Sequence, residues 1–221
     1  MDDVEKIRAQ VGKAGVAGAT TGGGTLFTEP VLIVNQKAKI FEQTSNFAVY
    51  RADGTQVGAV RQVGQSWIAK LLKAFSNFAI FMSARYEIVD TMDAVQLVVY
   101  KPRTFIKPRV MVQRPDGTEI GQIKQKIRLG KAKFMLTAPG GEQELATLNA
   151  ENFRAWNFSI TDPNDVEIAR LSKTWAGLGK EMFTKADNYV VEMKTQLADP
   201  VLSLVVASAL TIDQLMKQVK S

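Results

Sequence analysis

The sequence predicts a mainly β protein: a closed twelve-stranded antiparallel β-barrel enclosing a central hydrophobic C-terminal α-helix. Three observations carry this. One segment near the C-terminus is apolar on every side. About twelve short alternating segments precede it, separated by turn residues. Several of them repeat one strand–turn–strand unit. A sheet with one apolar face closes on itself to leave no free edge. Eight strands make a barrel that its own side chains fill, whereas twelve leave a lumen wide enough for a helix. The greasy helix needs an enclosure and the wall needs a filler.

Taken in order, Met1 to Gln10 is charged and lacks the apolar stretch of a signal peptide, which points to a cytoplasmic address. Residues 12 to 24 are rich in Gly, Ala and Thr. Residues 1–24 therefore read as a flexible lead-in, and 25–221 as a single barrel domain. Gly22-Gly23-Gly24 is no phosphate loop, since no Gly-Lys-Ser/Thr follows; Gly179-Lys180 fails the same test at Glu181.

The first strand signal is Val31 to Phe41. Hairpin units follow: Phe47–Tyr50 through Asp53-Gly54 to Val57–Gln62, Val110–Gln113 through Asp116-Gly117 to Ile120–Gln125, and Phe158–Thr161 through Asn164-Asp165 to Ile168–Lys173. A looser copy runs from Phe134–Thr137 through Gly140-Gly141 to Leu145–Leu148. Gly58 and Gly121 recur inside the second strand, where glycine marks a bulge or a close backbone approach. Tyr86–Val89 and Val95–Tyr100 make another pair. Between these units, Ile68, Leu71, Leu72 and Phe75 share one helical face next to Trp67, a pattern read as a lid on the barrel's open end. Trp156, Trp175 and Phe183 read as packing residues.

The C-terminal helix is expected over about 200–217. Asp199 is a good N-cap and Pro200 suits the first helical position; Lys217 and Lys220 complement the dipole at the other end. From Val201 to Ile212 nearly every residue is apolar, so the helix must be surrounded. The run is shorter than the roughly 20 residues of a bilayer span, and Asp213 interrupts it. Burial in protein is the expected solution, with Asp213 at the barrel mouth.

The chain has 221 residues, no cysteine and no histidine. Disulfides, thiolate metal sites and every His-dependent triad are excluded, and with no phosphate loop the expectation is a protein that is not an enzyme. The charge is uneven. Between Lys101 and Lys133 ten basic residues face only Asp116 and Glu119, an excess of eight in a chain whose total is +6. Such an excess points to phosphate-bearing partners. No recognised nucleic-acid motif accompanies it, so a membrane surface is the expected one. The candidate lipid-binding residues are Lys101, Arg103, Lys107, Arg109, Lys124, Lys126, Arg128, Lys131 and Lys133. Lys124, Lys126 and Arg128 alternate with apolar or neutral residues and so share one face of a strand.

Val34–Lys39, Gly58–Gln62, Glu151-Asn152-Phe153, Lys173-Thr174-Trp175-Ala176-Gly177 and Phe183–Tyr189 resemble the phospholipid scramblase family over about residues 25 to 216. The chain is most similar to short bacterial members; LURP-one-related proteins and the tubby C-terminal domain share the family fold. The resemblance implies a tubby-like barrel around a central helix. It also implies a scramblase-like protein that binds anionic phospholipid at the cytoplasmic face of the plasma membrane and aids lipid movement between leaflets. A soluble ligand- or protein-interaction module of the same fold is the alternative. Eukaryotic relatives are associated with calcium, through a segment that aligns with Lys185 to Gln196. A calcium loop needs oxygen ligands at alternate positions, a turn glycine and a final carboxylate. Lys185, Val190 and Gln196 stand at the first, glycine and last positions, and only Asp187, Asn188 and Glu192 offer oxygens. No cofactor is expected, calcium included.

Overall fold

The alternating segments pair as the hairpin pattern demands. A computed structural model describes residues 22–35, 45–63, 83–102, 109–126, 132–151, 157–173 and 188–219. The strands are β1 (Val31–Asn35), β2 (Ser45–Arg51), β3 (Gln56–Val63), β4 (Ala84–Val89), β5 (Val95–Lys101) and β6 (Arg109–Gln113). They continue as β7 (Glu119–Lys126), β8 (Lys133–Thr137), β9 (Glu144–Ala150), β10 (Phe158–Thr161), β11 (Glu167–Lys173) and β12 (Asn188–Met193); the helix α1 is Val201–Val219. Each strand pairs antiparallel with its neighbours in sequence. β1 pairs with β12, Val31 opposite Glu192, which closes a barrel of twelve strands.

Five tight hairpin turns lie at one rim: β2–β3, β4–β5, β6–β7, β8–β9 and β10–β11. Four share one geometry. In β6–β7 the Arg114 amide donates to the Thr118 carbonyl at 2.8 Å and the Gly117 amide to the Arg114 carbonyl at 3.0 Å. The same pair of bonds recurs over 51–55, 90–94 and 162–166. The left-handed position this turn requires is Gly117 in one case and Asp165 in another, at φ 89° and 62°. The β8–β9 turn is longer, with a single 3₁₀ turn at Pro139–Gly141.

Just past each turn the register slips by one residue, so Val57, Gln96, Ile120, Leu145 and Ile168 have no cross-strand partner. These are β-bulges, and they add twist where the wall must curve. Val57, Ile120 and Ile168 are buried in the core, so each bulge turns one more apolar side chain into the barrel mouth.

Inward positions of the wall form one core with α1. Val60, Ile88, Val99, Val112, Ile123 and Phe134 surround Leu204, Val205, Val206 and Ala207, all of which are buried. α1 touches β5, β6, β7 and β8 on one side and β12 on another, as a helix inside a barrel must. It starts at Val201, one residue later than the capping pattern predicts. Asp199 still caps it, accepting the Ser203 amide at 3.3 Å and the Ser203 hydroxyl at 2.6 Å. Arg114 holds the same carboxylate at 3.1 Å and so fixes the helix start to the β6–β7 turn.

Residues 22–24, read from sequence as part of the lead-in, belong to the folded rim. The Glu29 carboxylate accepts the Gly22 and Gly24 amides at 2.8 and 2.7 Å and is itself buried. Between them Leu26 fills the space over Gly58. β1 reads as a continuous apolar run because both of its sides are buried: Leu32 and Val34 join the core, while Val31 and Ile33 join a second cluster with Ala48, Tyr50 and Val190. The connections between strand ends at the opposite rim fall outside the described residues, as do Ile68–Phe75, Trp67, Trp156, Trp175 and Phe183. So does the side chain of Asp213.

Candidate phospholipid-binding end of the barrel

Alternation along β6, β7 and β8 sets the outward side chains. Val110, Val112, Ile123, Phe134 and Leu136 point into the core, so Arg109, Lys124, Lys126 and Lys133 lie on the outer face. Register then brings like charges together: Arg109 stands opposite Lys124, and Lys126 opposite Lys133. Directly opposed like charges destabilise a sheet pair.

Three of these cations lie at strand ends on the rim away from the tight turns. Arg109 begins β6, Lys126 ends β7 and Lys133 begins β8. Lys101 ends β5 at the same rim and continues the inward row of Leu97 and Val99 at the mouth. Lys124 departs from the expectation. Its Nζ donates to the Gly141 carbonyl at 2.6 Å, so its charge sits toward the β8–β9 turn. Arg103, Lys107, Arg128 and Lys131 lie outside the described residues. Arg85 is an addition that sequence reasoning does not supply. It is exposed, lies next to the start of β4 and neighbours Lys101 across the ladder, where Ala84 opposes Lys101. The charge window begins at Lys101, and the strand signal begins at Tyr86; Arg85 falls just before both.

Two cations elsewhere on the wall are held by shorter contacts than the 3.8 Å between Arg85 and Glu87. Arg170 is clasped by Glu167 and Glu151, each at 2.6 Å, and the hydrogen bonds it donates, to Glu167 foremost, raise its pKa above the usual range. Arg61 is raised likewise, by Glu87 at 2.9 Å and Asp93 at 2.8 Å. These guanidiniums are neutralised in place. Lys126 has a looser contact, with Glu144 at 3.7 Å. At the opposite rim, Asp116 is held below the usual carboxylate range by the Thr118 amide.

Within the calcium-like segment, Asn188–Met193 form β12. β12 pairs on both edges, Tyr189 and Val191 are buried in the core, and Glu192 contacts Lys194 at 2.8 Å. A segment so engaged does not fit a loop that wraps a cation. Asp187 and the side chain of Asn188 lie outside the described residues. No cluster of three candidate metal ligands occurs among the described residues.

The family profile described as Scramblase matches residues 82–216, which span β4 through α1. The chain belongs to the Scramblase family. Two similar proteins come from yeasts. The Saccharomyces cerevisiae "Altered inheritance rate of mitochondria protein 25" is 21% identical over 201 residues, covering 78% of this chain and 61% of that protein. A Schizosaccharomyces pombe "Phospholipid scramblase family protein" is 22% identical over 208 residues, covering 88% of this chain and 54% of that protein. The chain thus spans between about half and three-fifths of the length of these curated relatives. A solved structure of an Arabidopsis thaliana protein covers 92% of this chain and 100% of its own, with a TM-score of 0.49 at 9% identity. No helix among the described residues is long and apolar enough to cross a membrane.

Proposed function

We propose that this scramblase-family chain binds acidic phospholipid surfaces peripherally, at the cytoplasmic face of a membrane, and aids lipid redistribution there. It acts through charge and shape, without covalent chemistry and without a cofactor. The observation that carries the reading is the like-charged pair of Lys126 and Lys133 at the ends of β7 and β8, with Arg109 beginning β6 at the same rim. An anionic surface relieves that repulsion, and each cation near such a surface contributes about 1 kcal/mol that salt removes. Co-sedimentation with phosphatidylcholine vesicles, with and without phosphatidylserine, tests it. Binding that requires the anionic lipid and fades with salt is the expected result. Absence of binding at low salt overturns the proposal.

The placement of α1 favours a second reading of the step after binding. Its described apolar residues from Leu204 to Leu210 are buried inside the barrel, leaving those residues no contact with a hydrocarbon core of about 30 Å. A soluble ligand- or protein-interaction module of this fold, without scramblase activity, has the same structure. A leaflet-specific lipid probe in reconstituted vesicles, with and without calcium, separates the two: probe movement supports redistribution, and binding without movement supports the module.

A further inference from the structure

Resting on the lipid-surface reading above, we infer that the barrel docks end-on, with the basic rim of β4–β8 on the anionic surface and the tight-turn rim facing away. Among the described residues, the two ends of the barrel carry opposite charge. At one end, Arg85, Lys101, Arg109, Lys126 and Lys133 lie at or next to the ends of five consecutive strands. Adjacent strands stand about 4.8 Å apart, so these charges spread over roughly 20 Å of rim. A row of that breadth matches an extended surface better than a single phosphate.

The other end is acidic. Its cations are held in place: Arg51 contacts Asp53 at 2.6 Å and Arg114 contacts Asp199 at 3.1 Å. Its acids are stabilised by neutral donors instead. Asp90 accepts the Met92 and Ala94 amides, Asp116 the Thr118 amide, and Asp162 the Asn164 and Val166 amides. None of these donors is a cation. Opposite charges at the two ends make a moment along the barrel axis, and an anionic surface orients it with the basic end down. Strands β4–β8 have five to eight residues and tilt in a barrel, so the rims lie roughly 15–20 Å apart, about twice a Debye length of about 8 Å, and repulsion of the acidic rim is largely screened.

One observation favours the opposite orientation. Met92 and Val166 are exposed by 84% and 59%, and both lie at the turn rim. They sit on separate hairpins, each among aspartates, and scattered exposed apolar residues are ordinary.

The chain has no cysteine, so single-cysteine variants label cleanly. Ser83→Cys places a fluorophore at an exposed position beside β4 on the basic end. Met92→Cys and Val166→Cys place one at the turn rim. The full chain is bound to phosphatidylcholine–phosphatidylserine vesicles carrying a headgroup quencher. Loss of most Ser83-label fluorescence, restored by salt, with the Met92 and Val166 labels retaining theirs, is expected. Equal quenching at all three sites, or quenching at the turn rim alone, overturns the end-on arrangement while leaving lipid binding intact. Vesicles that capture none of the labelled proteins, nor the parent chain, remove both inferences.

Discussion

Gly121 and Gly117 lie four residues apart and do different work. A Cβ on Gly121 would stand 2.2 Å from the Thr137 carbonyl oxygen and 3.1 Å from Leu204 of α1, so the absence of a side chain is what lets the helix lie against β7. A Cβ on Gly117 would meet nothing within 4 Å; only its φ of 89° asks for glycine. Gly117→Ala is therefore expected to cost about 1–2 kcal/mol, from conformation alone. Gly121→Ala is expected to cost more, about 3 kcal/mol, because backbone on a neighbouring strand must move. Urea denaturation of both variants checks the order, and equal costs would contradict it. Gly58 repeats the arrangement with Leu26 in place of Leu204. The recurrence of Gly58 and Gly121 was legible as bulge or close approach, and they turned out to be both. Which side chain approaches was not legible, since Leu26 and Leu204 are remote in sequence and only the closed wall brings them there.

Among the elements, α1 was the most legible, because an apolar surface on every side admits few environments. Its start is displaced from expectation by one residue, within the usual latitude of helix ends. Less legible was the polar content of its buried surface. Ser208 and Thr211 are buried, and their hydroxyls donate back to the Leu204 and Ala207 carbonyls at 2.7 Å each. That local bond satisfies the hydroxyl without a partner on the wall. Ser208→Ala is accordingly expected to leave thermal stability nearly unchanged. Leu204→Ala, which empties the space beside Gly121, is expected to cost about 2–5 kcal/mol. Thermal melts followed by circular dichroism distinguish the two. The hairpins were readable from their Asp-Gly turns and alternation. The five bulges were not read as a set, because a register slip shows only once partner strands are placed; in sequence it is one residue more.

For the molecule as a whole, the basic stretch was visible as composition, but its shape was not. The barrel divides it. Lys124 is drawn to Gly141, Arg114 is spent on Asp199, and Arg85, outside the stretch, joins Lys101, Arg109, Lys126 and Lys133 at one end. The cross-strand repulsion at that end yields a test in which stability and binding move in opposite directions. Replacing Lys133 by Gln relieves the Lys126–Lys133 pair, so the fold is expected to gain about 0.2–1 kcal/mol. The same variant is expected to bind anionic vesicles more weakly. A variant that loses both would mark Lys133 as a support of the fold.

The closure of β1 on β12 also bears on how the chain reaches its native state. The last pairing joins residues more than 150 positions apart, and the segment that occupies the lumen is made after all twelve strands. During synthesis the wall has nothing to close around until α1 leaves the ribosome, and contacts of such long range form slowly. A growing chain therefore passes through an open sheet with two bare edges, the state in which β proteins aggregate most readily. Solubility in the cell is then decided less by the finished barrel than by how long its nascent form waits for its final helix.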